Sequence, residues 1–325
     1  MAKQANPAVE VQPELFIERI LSMEIARVTE RAAVAAARLR GRGDEKAADQ
    51  AAVDAMRREL NKLPISGTIR IGEGERDEAP MLFIGEEVGN KKGPLVDIAV
   101  DPLEGTTLCA KNMPGAIAVM AMAEGGTLLN APDVYMDKIA IGPGYPKGLI
   151  DLDASPADNI NALAKAKGVK PNEITALIMD RPRHAELIKA TRATGASVAL
   201  ITDGDVAAGI HINRALGGAR QGARPAGAMR SSGGQMQGRL ILDTDEKRSR
   251  AAKMGVKDPN KKYDMSEMVR GDCLIAATGV TTGSMLRGVE FKGDRIFTHT
   301  VVMRSVTGTT RWIDAEHRQL EKFHL

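Results

Sequence analysis

The chain has 325 residues, 43% of them hydrophobic and 27% charged, with a formal net charge of +3; this allows one large globular unit or two medium domains around a sizeable core. An aromatic content of 3% and so slight a cationic excess argue against a nucleic-acid partner. No stretch nears the roughly 20 consecutive apolar residues of a membrane span, and two cysteines, Cys109 and Cys273, form neither a disulfide framework nor a metal spacing, which fits the cytoplasm.

Residues 1–14, "MAKQANPAVEVQPE", lack the apolar core of a signal peptide and read as a flexible tail. From Leu15 to Leu39 apolar residues recur at helical spacing, and Gly41 and Gly43 stop that helix. A second helix is expected from Asp44 through "EKAADQAAVDAMRRELNKL". The period then changes: "GTIRIGEGE", the almost continuously apolar "PLVDIAV", "AIAVMAMA" and "DKIAIG" read as strands. Beyond Gly148 the texture alternates strand and helix in "EITALIMD", "HAELIKATRATG" and "SVALITDGD", with later strands at "DCLIAATG" and "HTVVMRS". The expected fold class is mixed α/β, divided into one part over 15–150 and a second, α/β part over 151–325, with a cleft between them. The tract "INRALGGARQGARPAGAMRSSGGQMQGR" has no apolar period and is long for a loop.

Chemistry concentrates where strands end. In "VDIAVDPLEGTT" the apolar run closes on Asp101, Pro102 is expected to begin a turn, and Glu104 follows three residues later, with Gly105, Thr106 and Thr107 able to offer a close backbone and two hydroxyls. Two acids so near each other repel unless protonated or bridged by a cation. They are either solvated turn residues or ligands of a hard divalent ion such as Mg²⁺ or Mn²⁺. "IGEGERDEAP" supplies Glu73 and Asp77 in a glycine-opened loop. Asp49 shares a helix face with Val53 and Met56, where a carboxylate needs a partner, whether a metal or a basic side chain. "DRPRHAEL" places Arg181, Pro182, Arg183 and His184 between a strand and a helix, suited to phosphate or merely solvated. Asp203, Gly204 and Asp205 at the end of another strand could accept hydrogen bonds from sugar hydroxyls or only form a turn, and Tyr135 could pack or touch a ligand. The Arg-Gly-Asp within "GRGDE" is a chance match in a chain without a secretory signal, and no G-x-G-x-x-G opens a helix after a first strand, which disfavours a dinucleotide-binding dehydrogenase.

Taken in order, "RGDEKAADQAAVDAMR", "GTIRIGEGERDEAPMLFIGEEVG", "VDIAVDPLEGTT", "LNAPDVYMDKIAIGPG", "RPRHAELI", "TDGDVAA", "GGQMQGRL" and "AATGVTTGSMLRGV" resemble the class II fructose-1,6-bisphosphatases, a branch of the lithium-sensitive, metal-dependent sugar phosphatases, over roughly residues 15 to 320. The resemblance implies a layered α/β/α/β/α fold and hydrolysis of the 1-phosphate of fructose-1,6-bisphosphate, with sedoheptulose-1,7-bisphosphate as a further substrate. That activity belongs to gluconeogenesis or the Calvin cycle. It also implies Mg²⁺ or Mn²⁺ as cofactor, a homo-oligomer, and no nucleic-acid or membrane partner. Carried over by motif, Asp49 and Glu73 hold one metal and Asp101 and Glu104 another. Glu104, Gly105 and Thr106 touch the scissile phosphate, while Tyr135, Arg181–Arg183, Asp203–Asp205 and Gly218 bind the rest of the substrate. Thr106 and Asp77 position the attacking water.

The chain departs from the family pattern at "GGARQG", residues 217–222, where members carry Gly-Gly-Ala-Pro-Glu-Gly. Gln221 thus stands in place of a metal-binding glutamate, and the segment before it is shortened. An amide oxygen can bind a cation but adds no negative charge. The alternatives to a working bisphosphatase are therefore a catalytically impaired homologue that binds sugar phosphates, and an inositol-phosphate-type phosphatase.

Overall fold

The computed structural model describes residues 21–74, 81–204, 233–318 and 320–323. Two helices, α1 (Leu21–Ala37) and α2 (Glu45–Leu60), open the described chain. They cover one face of an eight-stranded sheet. Its strands run in the order β2 (Glu87–Val88), β1 (Ser66–Ile71), β3 (Leu95–Glu104), β4 (Ile117–Glu124), β10 (Cys273–Gly279), β12 (Arg295–Arg304) and β13 (Thr309–His317), with β11 (Glu290–Lys292) beside the first residues of β12. Only β1 and β3 run parallel; every other pair in this sheet is antiparallel.

The central strands alternate between two cores, as a pleated strand covered on both faces must. Val96, Ile98 and Val100 of β3, Ala118, Met120 and Met122 of β4, and Leu274 and Ala276 of β10 pack beneath α1 and α2. Ala99, Val119, Ala121, Ala123, Ile275 and Ala277 face the other way. The many alanines on that second face let a three-stranded sheet approach closely: β5 (Met136–Ile141), β8 (Gln235–Leu240) and β9 (Tyr263–Asp264). Each fully buried Ile or Met in these layers contributes about 1.5–3 kcal/mol. At the edge of the second core Asp97, 1% exposed, accepts from Arg70 Nε at 2.8 Å and from the Leu128 N–H at 3.2 Å.

A third core gathers Ile141, Ile150, Ile160, Ile174, Ile178 and Ile188 around the parallel pair β6 (Thr175–Met179) and β7 (Ser197–Ile201). Its helices are α4 (Pro156–Lys167) and α5 (Ala185–Ala193), which follow the short α3 (Thr106–Ala110) in the chain. Helix α4 is cleanly bounded: the Ser155 hydroxyl accepts from the Asp158 N–H, Pro156 opens the first turn, and Gly168 closes the helix at φ +70°. The mixed α/β class expected from the sequence is the one observed. The large sheet takes strands from both sides of residue 150. Residues 1–20 and the Gly/Ala/Arg tract to residue 232 lie outside the described residues. Among the described residues no helix is long and apolar enough to cross a membrane.

Candidate active site

Two acid-bearing strands in the large sheet, β1 and β3, end side by side. Strands β1 and β3 run parallel with Ile71 beside Ala99, and Glu73 and Asp101 each lie two residues beyond that pair, at the same end of adjacent strands. Residues 82–84 fold back over the end of β1: the Glu73 N–H donates to the Leu82 carbonyl at 3.0 Å and the Ile84 N–H to that of Gly74 at 2.9 Å. A Cβ on Gly72 would stand 2.0 Å from the Leu82 oxygen, so only glycine admits this cover.

Pro102 does not begin a turn. Strand β3 continues through it to Glu104, and its register against β4 shifts between the pairs Asp101–Val119 and Glu104–Ile117. A strand tolerates proline at such an irregularity because no ladder donor is required there. The shift places Asp101, half-buried, and Glu104, 7% exposed, on either side of a kink, and the chain turns at Gly105 (φ +86°) straight into α3. The hydroxyl-bearing Thr106 and Thr107 are the first two residues of that helix.

Asp49 approaches the end of β3 from α2. Gly41 and Gly43, both at positive φ, donate their N–H groups to the carbonyls of Cys109 and Ala110 at 2.9 and 3.0 Å, clamping the chain before α2 onto the end of α3. Asp44 then caps α2 by accepting from the Ala47 N–H, and Asp49 lies one turn further on, above the buried Val53 and Met56. Burial, reinforced by the negative charge of Asp101, pushes the Asp49 carboxyl up to about 6. Asp49 therefore feels the charge of Asp101, 52 residues away in sequence. Such a pair is relieved by a proton or a cation, and oxygen donors of this kind suit a hard divalent ion. Among the described residues, however, no three of His, Cys, Asp and Glu stand together closely enough to hold a metal ion.

Two further contacts join the expected ligand-binding residues. The Arg183 guanidinium lies over the Tyr135 ring at 4.9 Å, linking the turn after β6 to the start of β5. That turn is held by His184 Nδ1, 2.9 Å from the Met179 carbonyl, and Arg181 Nη1 donates to the Asp180 carbonyl at 3.3 Å; Pro182 is exposed. Asp203 and Gly204 follow β7, and a Cβ on Gly204 would come within 3.3 Å of Leu108 in α3. They line a cavity of about 360 Å³ together with Leu108, Gly115, Thr281 and Ser284. Asp77, Asp205, Gly218 and Gln221 lie outside the described residues.

In the sequence Gly41 and Gly43 mark a helix stop, and no motif assigns a role to Leu108, Gly115, Thr281 or Ser284. The paired glycines flanking an arginine before an N-cap were the available sign of a clamp; for the cavity wall, which forms only in three dimensions, the sequence held no sign.

The family model described as bacterial fructose-1,6-bisphosphatase, glpX-encoded, matches residues 19–317. The D-fructose 1,6-bisphosphatase class 2/sedoheptulose 1,7-bisphosphatase of Synechococcus sp. (strain JA-3-3Ab) is 44% identical over 331 residues, covering 91% of this chain and 95% of that protein. The protein of the same name from Synechococcus sp. (strain RCC307) is 42% identical over 324 residues, covering 93% and 97%. The first alignment spans more positions than this chain has residues, so that relative carries residues without a counterpart here.

Proposed function

As the chain belongs to the bacterial fructose-1,6-bisphosphatase family, we propose that Asp49, Glu73, Asp101 and Glu104 hold the divalent cations with which it removes the 1-phosphate of fructose-1,6-bisphosphate, and of sedoheptulose-1,7-bisphosphate. Membership makes the chain a phosphoric monoester hydrolase. The observation that carries the assignment of the site is the placement of Glu73 and Asp101 at the same end of adjacent parallel strands, with Asp49 of α2 near enough to feel the charge of Asp101.

Cations bound there, Mg²⁺ or Mn²⁺, would supply a water of lowered pKa and positive charge for the oxygens that become more negative in the transition state. The chain's own groups do the positioning. Glu104, Gly105 and Thr106 take the scissile phosphate at the β3 kink, and the Thr106 hydroxyl and Asp77 position the attacking water. Tyr135 with Arg183 above it, Arg181, Pro182, Asp203, Gly204, Asp205 and Gly218 hold the sugar and its second phosphate. Gln221 completes the metal site through its amide oxygen. This reading places the enzyme in the cytoplasm, with the site in a cleft between the parts before and after residue 150.

Phosphate release from fructose-1,6-bisphosphate, measured with Mg²⁺, with Mn²⁺ and with chelator, tests it. Release that requires the cation is expected, with sedoheptulose-1,7-bisphosphate as a competing substrate and inositol phosphate a poor one. A folded sample that releases nothing at any metal concentration sinks the proposal. Gln221 favours a second reading, a protein that binds sugar bisphosphates without turning them over. Gln221→Glu separates the two: a large gain in turnover marks a competent scaffold, and binding of fructose-1,6-bisphosphate without such a gain marks the second reading.

A further inference from the structure

Strands β6 and β7 run parallel, and the segments that leave their C-terminal ends both carry residues of the proposed substrate site: Arg181–Arg183 after β6, Asp203 and Gly204 after β7. The Asp180 N–H donates to the Ile201 carbonyl at 2.7 Å, which carries the pairing one residue past β6. Residues Pro182–His184 then form a single 3-10 turn, closed by the His184 N–H donating to the Arg181 carbonyl at 2.8 Å. That bond shapes the turn but does not anchor it to the sheet. The imidazole does: His184 Nδ1–H donates to the carbonyl of Met179, the last residue of β6, at 2.9 Å. His184 is also the N-cap of α5, a place where Ser, Thr, Asp or Asn would accept from an unpaired helix N–H. Its side chain makes no such bond and is committed to the turn instead.

We propose that His184 is a positioning residue for the phosphate that is not cleaved: by tying the turn to β6 it holds the Arg183 guanidinium over the Tyr135 ring, where that cation meets the second phosphate of the sugar bisphosphate. The inference rests on the phosphatase reading above and assigns within it a residue that touches no substrate atom. Arg183 is exposed, and its guanidinium stands 4.9 Å from the centre of the Tyr135 ring. Neither Arg183 nor Arg181 makes an ion pair among the described residues, so both charges remain available to an anion. An arginine recognises phosphate through a planar fork of donors, so displacing the fork weakens binding even though the charge stays. Arg183 directly precedes the anchoring histidine, whereas Tyr135 is held separately, its carbonyl accepting from the Ile241 N–H at 2.8 Å. Loosening the turn therefore moves the cation and leaves the ring in place.

Fructose 1-phosphate, which keeps the cleaved ester and lacks the second phosphate, isolates the effect. In His184→Ala the KM for fructose-1,6-bisphosphate should rise on the order of tenfold with little change in kcat, the pattern of lost binding that ground and transition states share. The KM for fructose 1-phosphate, or its inhibition constant where it is not turned over, should stay within about twofold. His184→Asn should keep the bisphosphate KM of the unmodified protein, because its amide N–H takes the place of Nδ1–H. His184→Gln, whose amide lies one bond further out, should behave as His184→Ala; these two variants carry the test if the alanine variant does not fold. Equal KM values for the bisphosphate in the unmodified, alanine and glutamine proteins overturn the inference and leave the phosphatase reading standing. A rise shared by both substrates, or one that persists in His184→Asn, overturns it as well, since either marks general damage to the fold. An unmodified protein without turnover strikes the phosphatase reading instead. Calorimetric binding of the two sugar phosphates then decides the inference, which requires His184→Ala to weaken binding of the bisphosphate alone.

Discussion

Glu30 and Asp49 sit on the packed helices α1 and α2, and burial pushes both carboxyls upward, Glu30 to about 7 and Asp49 to about 6. Their neighbours differ. Glu30, 7% exposed, is met by the Thr298 hydroxyl and by the charges of Arg31 and Arg27, all of which favour its ionised form against the burial that opposes it. The hydroxyls of Thr29, Thr278 and Thr300 continue this polar seam between α1 and the sheet, each 2.8 Å from the next. Asp49 is met by Asp101, whose charge adds to the burial penalty. A buried acid given donors by its own chain is part of the packing. A half-buried acid set against another acid lowers the stability of the fold, and that arrangement makes physical sense where a cation is to be bound.

Asp49→Asn separates the two acids by the largest effect. If Asp49 serves the cation, phosphatase activity should fall on the order of 10³-fold, the scale of one lost electrostatic stabiliser of a transition state. The metal-free protein should at the same time become more stable at pH 7, because the repulsion with Asp101 is removed. Melting curves with and without Mn²⁺ check this without any assay of turnover: the ion should raise the melting temperature of the unmodified protein and raise that of Asp49→Asn far less. Equal shifts in the two proteins would place Asp49 with Glu30 among the packing acids.

Glu30→Gln should do the reverse, leaving activity intact and changing stability. The folded-state value of about 7 lies above the unfolded value of about 4.5. The unfolded chain therefore releases this proton first as pH rises, and the stability that the neutral acid provides is lost between about pH 4.5 and 7. Urea unfolding at pH 8 should show Glu30→Gln more stable than the unmodified protein by up to about 3 kcal/mol, since the gap between the folded and unfolded values is worth about 1.4 kcal/mol for every tenfold change in acidity. Near pH 4.5 the two should converge.

How far this contrast could be read from the sequence depends on the residue. Asp49 was legible because Val53 and Met56 follow at helical spacing, which marks a buried face, and the strand ends at Glu73 and Asp101 were legible from apolar runs closing on acids. Pro102 misled, since proline after an acid signals a turn unless a bulge lets the strand continue, and a bulge depends on the facing strand β4. Glu30 passed unnoticed because its partner Thr298 is 268 residues away and α1 has Glu and Arg on its other turns as well. Sheet membership was not legible either, because it depends on β10 returning to pair with β4 and β12 with β10.

The finest test concerns Thr298 itself, which touches both Glu30 and His317, whose Nε2 lies 2.9 Å from its hydroxyl. Burial holds the His317 imidazole below its usual range, so near neutral pH the ring is uncharged and its Nε2–H can donate to Thr298 while the Thr298 hydroxyl donates to Glu30. Thr298→Val keeps the shape and removes the hydroxyl from the middle of this chain. A cost of about 1 kcal/mol or somewhat more is expected at neutral pH, the range for a buried hydrogen bond lost with its partners left in place. The change should also be visible in the pH dependence. Without its donor the Glu30 carboxyl should rise above about 7, extending the pH interval over which stability falls, and Glu30→Gln added to Thr298→Val should abolish that extension. If Thr298→Val lowered stability equally at every pH, the hydroxyl would act through packing alone, and Glu30 would owe its ionised form to Arg31 and Arg27.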